Sequence, residues 1–265
     1  MGMDESRKVL NEAMWRECEA ALREVRDPRG APPETGEREF LEAVLYLGRT
    51  GCPWRDLPAR FGTWSAVYMR FRRWEKAGVW RGLWEQLEQG ACPALLQVFI
   101  DSTSIPVHPH AAGAPKKNGG AEALGRSRGG LTTKLHVACT DEHSSVALTL
   151  SEGQRHDSVP VPELITEAST AGKIMRVTAD RAYDGDPTRK PLIDAGIEVV
   201  IPSPKNRKHP PGYSTELYKL RHKVENYFRK LFDFRRVATR YDKLARSYLA
   251  FVHLIASIVL LRSFR

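Results

Sequence analysis

The sequence has 265 residues, with Lys+Arg 41 against Asp+Glu 32 and a formal net charge of +9. Hydrophobic residues make up 42% and charged residues 28%, which excludes a disordered or collagen-like chain. The length allows one large domain or two modest ones, and either buries a core without disulfides.

The charge is uneven. By stretch, the net is −3 over residues 1–50, +3 over 51–100, +1 over 101–150, −3 over 151–200 and +11 over 201–265. A merely solvated surface has no need of that concentration, so nucleic acid is the expected partner. The cysteines Cys18, Cys52, Cys92 and Cys139 include no C-x-x-C pair, which offers no zinc spacing and suits a reducing cytosol. Met1–Leu22 is charged throughout, unlike a signal peptide. The one long apolar run, Leu249–Leu261, has 13 residues with His253 inside it. A membrane span needs ~20, so a buried helix and a cytoplasmic protein are expected.

Residues 1–90 read as helical. Glu37–Thr50 places Phe40, Val44 and Leu47 on one face, and Gly51 and Pro53 stop it. Arg55–Phe61 reads as a short helical turn, broken by Gly62, and Thr63 stands at an N-cap position. Thr63–Lys76 is a basic helix with Val67, Phe71 and Trp74 as its inner stripe and Arg70, Arg72 and Arg73 off it. The sequence of elements is helix-turn-helix-like, and those three arginines are candidate DNA contacts. A small bundle with a solvated basic face would show the same pattern.

From residue 91 the period changes, giving domains of 1–90 and 91–265. Leu95–Asp101 reads as a buried strand ending in a carboxylate. Leu131–Cys139 alternates with period two, and Val146–Leu150 follows a polar hairpin. Val161–Ala168 is a helix, Lys173–Ala179 a strand followed by Asp180, Arg189–Ala195 a helix and Glu198–Pro202 a fifth strand. Two long helices follow, about Ser214–Phe234 and Lys243–Ser263. The order β-β-β-α-β-α-β-α-α implies a mixed five-stranded sheet flanked by helices. His108–Gly130, rich in Gly, Ala and basic residues, reads as a mobile loop.

Asp101 and Asp180 therefore sit at strand ends, where a rigid sheet can aim them. A third acid, Glu225, lies in the very basic segment Tyr218–Leu231, where Tyr218, Arg221, Glu225, Arg229 and Phe232 share one stripe. A surface ion-pair ladder would look similar. Three packed carboxylates would repel one another unless divalent cations joined them. Mg2+ takes oxygen ligands, and two such ions can serve an in-line phosphoryl displacement.

The segments ALGRSRGGLTTKLHVAC (Ala123–Cys139), VTADRAYD (Val177–Asp184) and RHKVENYFRKL, with RTGCPWRDLPARFG nearer the start, resemble the DDE transposases of bacterial insertion sequences, closest to the insertion-sequence-four/five group. The resemblance covers essentially the whole chain. It implies an RNase H-like fold, a catalytic and metal-binding triad of Asp101, Asp180 and Glu225, and Mg2+ as cofactor with Mn2+ as substitute. It also implies a homodimer or higher assembly on double-stranded DNA. Asp101 would bridge both ions. Tyr218, Arg221, Arg229, Lys230 and Arg236 would contact DNA, beside Arg70, Arg72 and Arg73. The group's signature of Tyr, Arg, Glu and Lys is matched at Tyr218, Arg221 and Glu225, but Phe232 stands where the lysine is expected. Asp184 competes with Asp180, and Asp157 suits either helix capping or catalysis. The rival readings are a nuclease without strand transfer and a DNA-binding repressor.

Overall fold

The computed structural model describes residues 8–27, 35–91, 95–112 and 122–264. Cys92 and residues 113–121 of the glycine-rich loop lie outside the described residues. Four helices come first: α1 (Glu12–Val25), α2 (Glu37–Thr50), α3 (Trp64–Lys76) and α4 (Val79–Ala91). Strands β1 (Leu95–Pro106), β2 (Gly125–Ser127), β3 (Gly130–Cys139) and β4 (Ser145–Glu152) follow. Next are α5 (Val161–Ala171), β5 (Lys173–Ala179), α6 (Asp186–Asp194) and β6 (Glu198–Val200). The last elements are α7 (Thr215–Lys219), α8 (His222–Phe232), α9 (Arg235–Ala238) and α10 (Ala245–Leu261).

Five strands lie in the order β4-β3-β1-β5-β6. β1 runs antiparallel to β3 and parallel to β5, and β5 runs parallel to β6. This mixed arrangement is the RNase H-like order that the resemblance implied. The short β2 is a sixth strand, paired with Gly130–Thr132 of β3, inside the stretch expected to be a loop.

Alternation along β1 sorts its side chains onto two layers. Leu96, Val98 and Ile100 belong to a core with α5 and α6. Phe99 and Ile105 belong to the other core, with α8 and α10. Asp101 has the parity of Phe99 and so faces the α8 layer. That second core runs without a break from Leu10 through α2, α3 and α4 to β1, β3, α8 and α10. The helical region thus shares its interior with the sheet region.

α10 explains the sharing. Ala245–Phe264 is long and apolar enough to cross a membrane, but 78% of its most apolar stretch is buried inside the fold. Around it, Trp54, Phe71 and Phe251 form an aromatic cluster, with Phe71 stacked on Phe251 at 4.7 Å between centroids. A polar pin adds direction. Arg72 Nη1 donates to Ser247 Oγ at 2.6 Å and to Glu75 Oε2 at 2.7 Å, tying α3 to α10.

A second buried polar node ties α4 to α8. Ser145 Oγ accepts from Trp84 Nε1 at 3.2 Å and from Tyr227 OH at 2.7 Å. The Ser145 amide donates to Glu88 Oε1 at 2.9 Å, and Ser144 Oγ donates to Glu88 Oε2. Burial pushes the Glu88 carboxyl up to about 8.

Several expectations are corrected. β1 does not stop at Asp101 but continues to Pro106, because its far half pairs with β3 after β5 has left. The long helix expected over 214–234 is two helices, joined through Leu220 and Arg221 by i→i+3 bonds such as Arg221 N to Tyr218 O at 3.0 Å. Residues 55–61 form two 3-10 turns, and Thr63 makes no side-chain cap bond.

Candidate active site

The parallel register of β1 and β5 ends at Ile100 opposite Ala179, so Asp101 and Asp180 are the next residues of two adjacent strands. Neighbouring strands lie ~4.8 Å apart, which sets the two carboxylates side by side. There the chains diverge. β1 continues along β3, while Asp180 turns into a 3-10 helix, Arg181–Tyr183, and accepts from the Ala182 amide at 2.7 Å.

The third carboxylate arrives on α8. Val224, Tyr227, Phe228 and Leu231 bury one face of that helix. Glu225 sits at the margin of this face in the first turn, with its side chain 52% exposed. Arg221, just before α8, connects the carboxylates. Its Nη1 donates to Asp101 Oδ2 at 3.1 Å, and its Nη2 donates to Glu225 Oε1. Burial disfavours the charge on Arg221, but Asp101 and Glu225 offset that and hold its pKa above the usual range. Burial pushes the Asp101 carboxyl up to about 6, and the charges of Asp180 and Glu225 push the same way. The Ser102 amide and Arg221 pull against them.

A cleft of about 550 Å3 opens over this point, lined by Asp101, Ser102 and Thr103 of β1, by Glu225, Phe228, Arg229 and Phe232 of α8, and by Asp233. Phe232 stacks on Phe228, with centroids 6.0 Å apart. The position expected to hold a lysine is thus part of an aromatic wall.

The chemistry of the donor set suits a hard divalent cation: Asp101, Asp180 and Glu225 offer carboxylate oxygen only. Among the described residues, no group of three or more His, Cys, Asp or Glu stands close enough together to hold a metal ion. Arg221 is the cation that joins Asp101 to Glu225.

The other expected residues divide into two groups. Arg229 is exposed in the cleft, Arg73 is exposed on α3, and Tyr218 lies 6.0 Å under the Arg221 guanidinium. Arg236, Arg70 and Arg72 are corrections, because each is engaged inside the protein, whereas Lys230 is paired with Glu142 at the surface. Arg236, 3% exposed, holds Asp242 through Nε and Nη2 and donates to Cys52 O at 3.1 Å. Arg70 is buried over the Phe40 ring at 4.3 Å and donates to Thr35 O at 2.8 Å. It lies three residues after Val67 and four before Trp74, on the flank of the inner stripe and not off it. Arg72 is half-buried in the pin to α10, and Lys230 Nζ lies 3.3 Å from Glu142 Oε1.

Asp184 is a structural acid. Its buried side chain accepts from Arg189 and from Arg207. Asp157 does not cap a helix. It accepts from Ser102 Oγ at 2.8 Å and from Lys134 Nζ at 2.6 Å, bracing the residue that follows Asp101. Sequence reasoning missed Ser102 and Lys134 in this support. The β1–β3 register, which sets Ser104 opposite Lys134, is the signal that places them, and it emerges only on folding.

A family model described as "Transposase DDE domain" matches residues 94–260, more than half of the chain. The chain belongs to the DDE transposase family. A second model, described as "Putative transposase of IS4/5 family", matches residues 10–84. Among curated relatives, "Putative transposase for insertion sequence element IS6501" of Brucella ovis is 30% identical over 134 residues, covering 50% of this chain and 100% of that protein. "Uncharacterized protein y4sN" of Sinorhizobium fredii is 46% identical over 89 residues, covering 33% of this chain and 69% of that protein. Among solved structures, a piggyBac transposase synaptic complex with hairpin DNA aligns with a TM-score of 0.39 and 12% identity. That alignment covers 77% of this chain, and the chain spans 50% of the piggyBac chain. DDE transposases are nucleotidyl-transfer enzymes that generally use a divalent metal.

Proposed function

We propose that this chain cuts the ends of an insertion element and joins them to target DNA, with Asp101, Asp180 and Glu225 as the reacting group. The observation that supports this reading is the pairing of Asp101 and Glu225 through Arg221, with Asp180 following the strand next to Asp101. Hydrolysis bonds a water oxygen to phosphorus and releases the 3′-oxygen of the element end. That 3′-hydroxyl then bonds to a target phosphorus and displaces the target's own 3′-oxygen, so no protein–DNA bond is required.

Asp101, Asp180 and Glu225 would hold Mg2+, with Mn2+ as substitute. The ions would supply activation of the attacking oxygen and stabilisation of the leaving one. Asp101 is suited to the shared position because it lies between Asp180 and α8. Arg229 and Tyr218, at the rim, would take phosphates and sugar. Arg73 offers a contact from the helical region, which would read the terminal inverted repeats. Two ends must meet, so the working form would be a homodimer or higher assembly on double-stranded DNA in the cytoplasm.

The test is a supercoiled plasmid carrying the element ends. Asp101→Asn and Glu225→Gln are expected to lose cleavage by ~10³-fold or more while still binding DNA. Cleavage by the wild type with no joined product assigns a nuclease. Full activity in both variants removes these carboxylates from the chemistry.

A further inference from the structure

Asp233 lines the catalytic cleft. That residue also lines a second groove of about 610 Å3, whose other walls come from α2, the 3-10 turn Ala59–Phe61 and the start of α9. Three arginines face it: Arg49, Arg60 and Arg235. All three are exposed, and none forms an ion pair among the described residues. Most other arginines of the fold are paired with carboxylates, so three unpaired ones in a single groove are a distinct feature. The groove's other acid, Glu42, is already satisfied, because its carboxylate accepts from the Val9 amide at 3.1 Å and the Leu10 amide at 2.8 Å.

The arginines are also held in place. Arg60 lies over the rings of Phe61 at 4.9 Å and Tyr46 at 5.5 Å. Arg49 is in the last turn of α2, which ends at Gly51 with φ of 70°. A Cβ at Gly51 would stand 3.2 Å from Arg235 Cβ. Glycine there both adopts the left-handed cap and lets α9 seat against α2, which brings Arg235 beside Arg49.

We propose that this groove carries the phosphodiester backbone of the DNA duplex away from the catalytic cleft, with Arg49, Arg60 and Arg235 as its phosphate contacts. The proposal deepens the functional reading and rests on it for the identity of the polyanion. Guanidinium groups suit phosphate because they present a planar fork of donors. Three of them in one groove, which shares Asp233 with the cleft of Asp101 and Glu225, suit a backbone better than a single ion. The contacts carry no sequence information, so any duplex should report them.

The experiment measures binding of a random-sequence duplex of ~40 base pairs against salt, with chelator present to block cleavage. The triple variant Arg49→Gln, Arg60→Gln, Arg235→Gln is compared with wild type, with the triple lysine variant, and with Arg16→Gln, Lys173→Gln, Lys190→Gln as a control of equal net charge. Glutamine keeps most of each stem, and thermal unfolding checks the fold. The log–log slope is expected to flatten by ~2–3 in the glutamine variant, at ~0.9 per lost contact. Lysines should restore most of it, and the control should retain the wild-type slope. A wild-type slope in the glutamine variant overturns the groove, as does equal flattening in the control. Failure of the functional reading looks different: Asp101→Asn would still cleave the element ends, whatever the slopes.

Discussion

Arg221 Nη1 donates to Asp101 Oδ2 at 3.1 Å, joining the residue that leads into α8 to the central strand. The same guanidinium holds Glu225, so one cation spans two of the three carboxylates. It stands where charge neutralisation is needed, and it competes for the oxygens that would bind a metal.

Arg221→Gln therefore has two effects of opposite kind. The Mg2+ concentration for half-maximal cleavage should fall, because the competing cation is gone. The maximal rate should drop by about tenfold to hundredfold, because Asp101 and Glu225 lose their shared anchor. A Mg2+ titration of plasmid cleavage separates the two. A higher Mg2+ requirement would show that Arg221 assists the ions instead of competing with them.

Arg236→Met should unfold the protein more easily without changing how it grips DNA. The guanidinium is buried against Asp242 and capped by the Phe251 ring at 4.7 Å. Removing it leaves a buried carboxylate without its partner, a loss of about 3–5 kcal/mol. Denaturant unfolding measures the loss, and the salt dependence of DNA binding should keep its wild-type slope. A flattened slope would return Arg236 to the DNA surface.

Glu88→Gln should alter the pH dependence of stability. The folded carboxyl keeps its proton up to about 8, whereas the unfolded chain releases it near 4.5. Its contribution is therefore complete below the lower value and lost as pH rises through the upper one. Glutamine mimics the protonated form at all pH values. The variant's melting temperature should match wild type near pH 5 and exceed it near pH 9. Parallel curves would mean that Glu88 is ionised in the folded state.

Much of the framework was legible because local chemistry sets it. α2 spans Glu37–Thr50 as read from its periodicity, since Gly51 supplies the left-handed cap. β5 ends at Ala179 as read, and the belonging to DDE transposases was carried by long motifs. What failed depended on distant partners. Arg236 donates to Cys52 O from 184 residues away, and nothing in the local segment foretells that burial. The sequence reads as a strand that stops at Asp101 because its continuation, Ser102-Thr103-Ser104, is polar. Only pairing with β3 shows that this stretch is still strand.

The pin between Arg72 and Ser247 spans 175 residues of sequence. The consequence concerns the order of assembly during synthesis. Helices emerging first cannot close their aromatic face until α10 has left the ribosome, so the usual N-terminal-first folding of separate domains does not apply here. Nascent chains would hold Trp54 and Phe71 without their Phe251 partner for most of translation, a window in which holdase chaperones would find them.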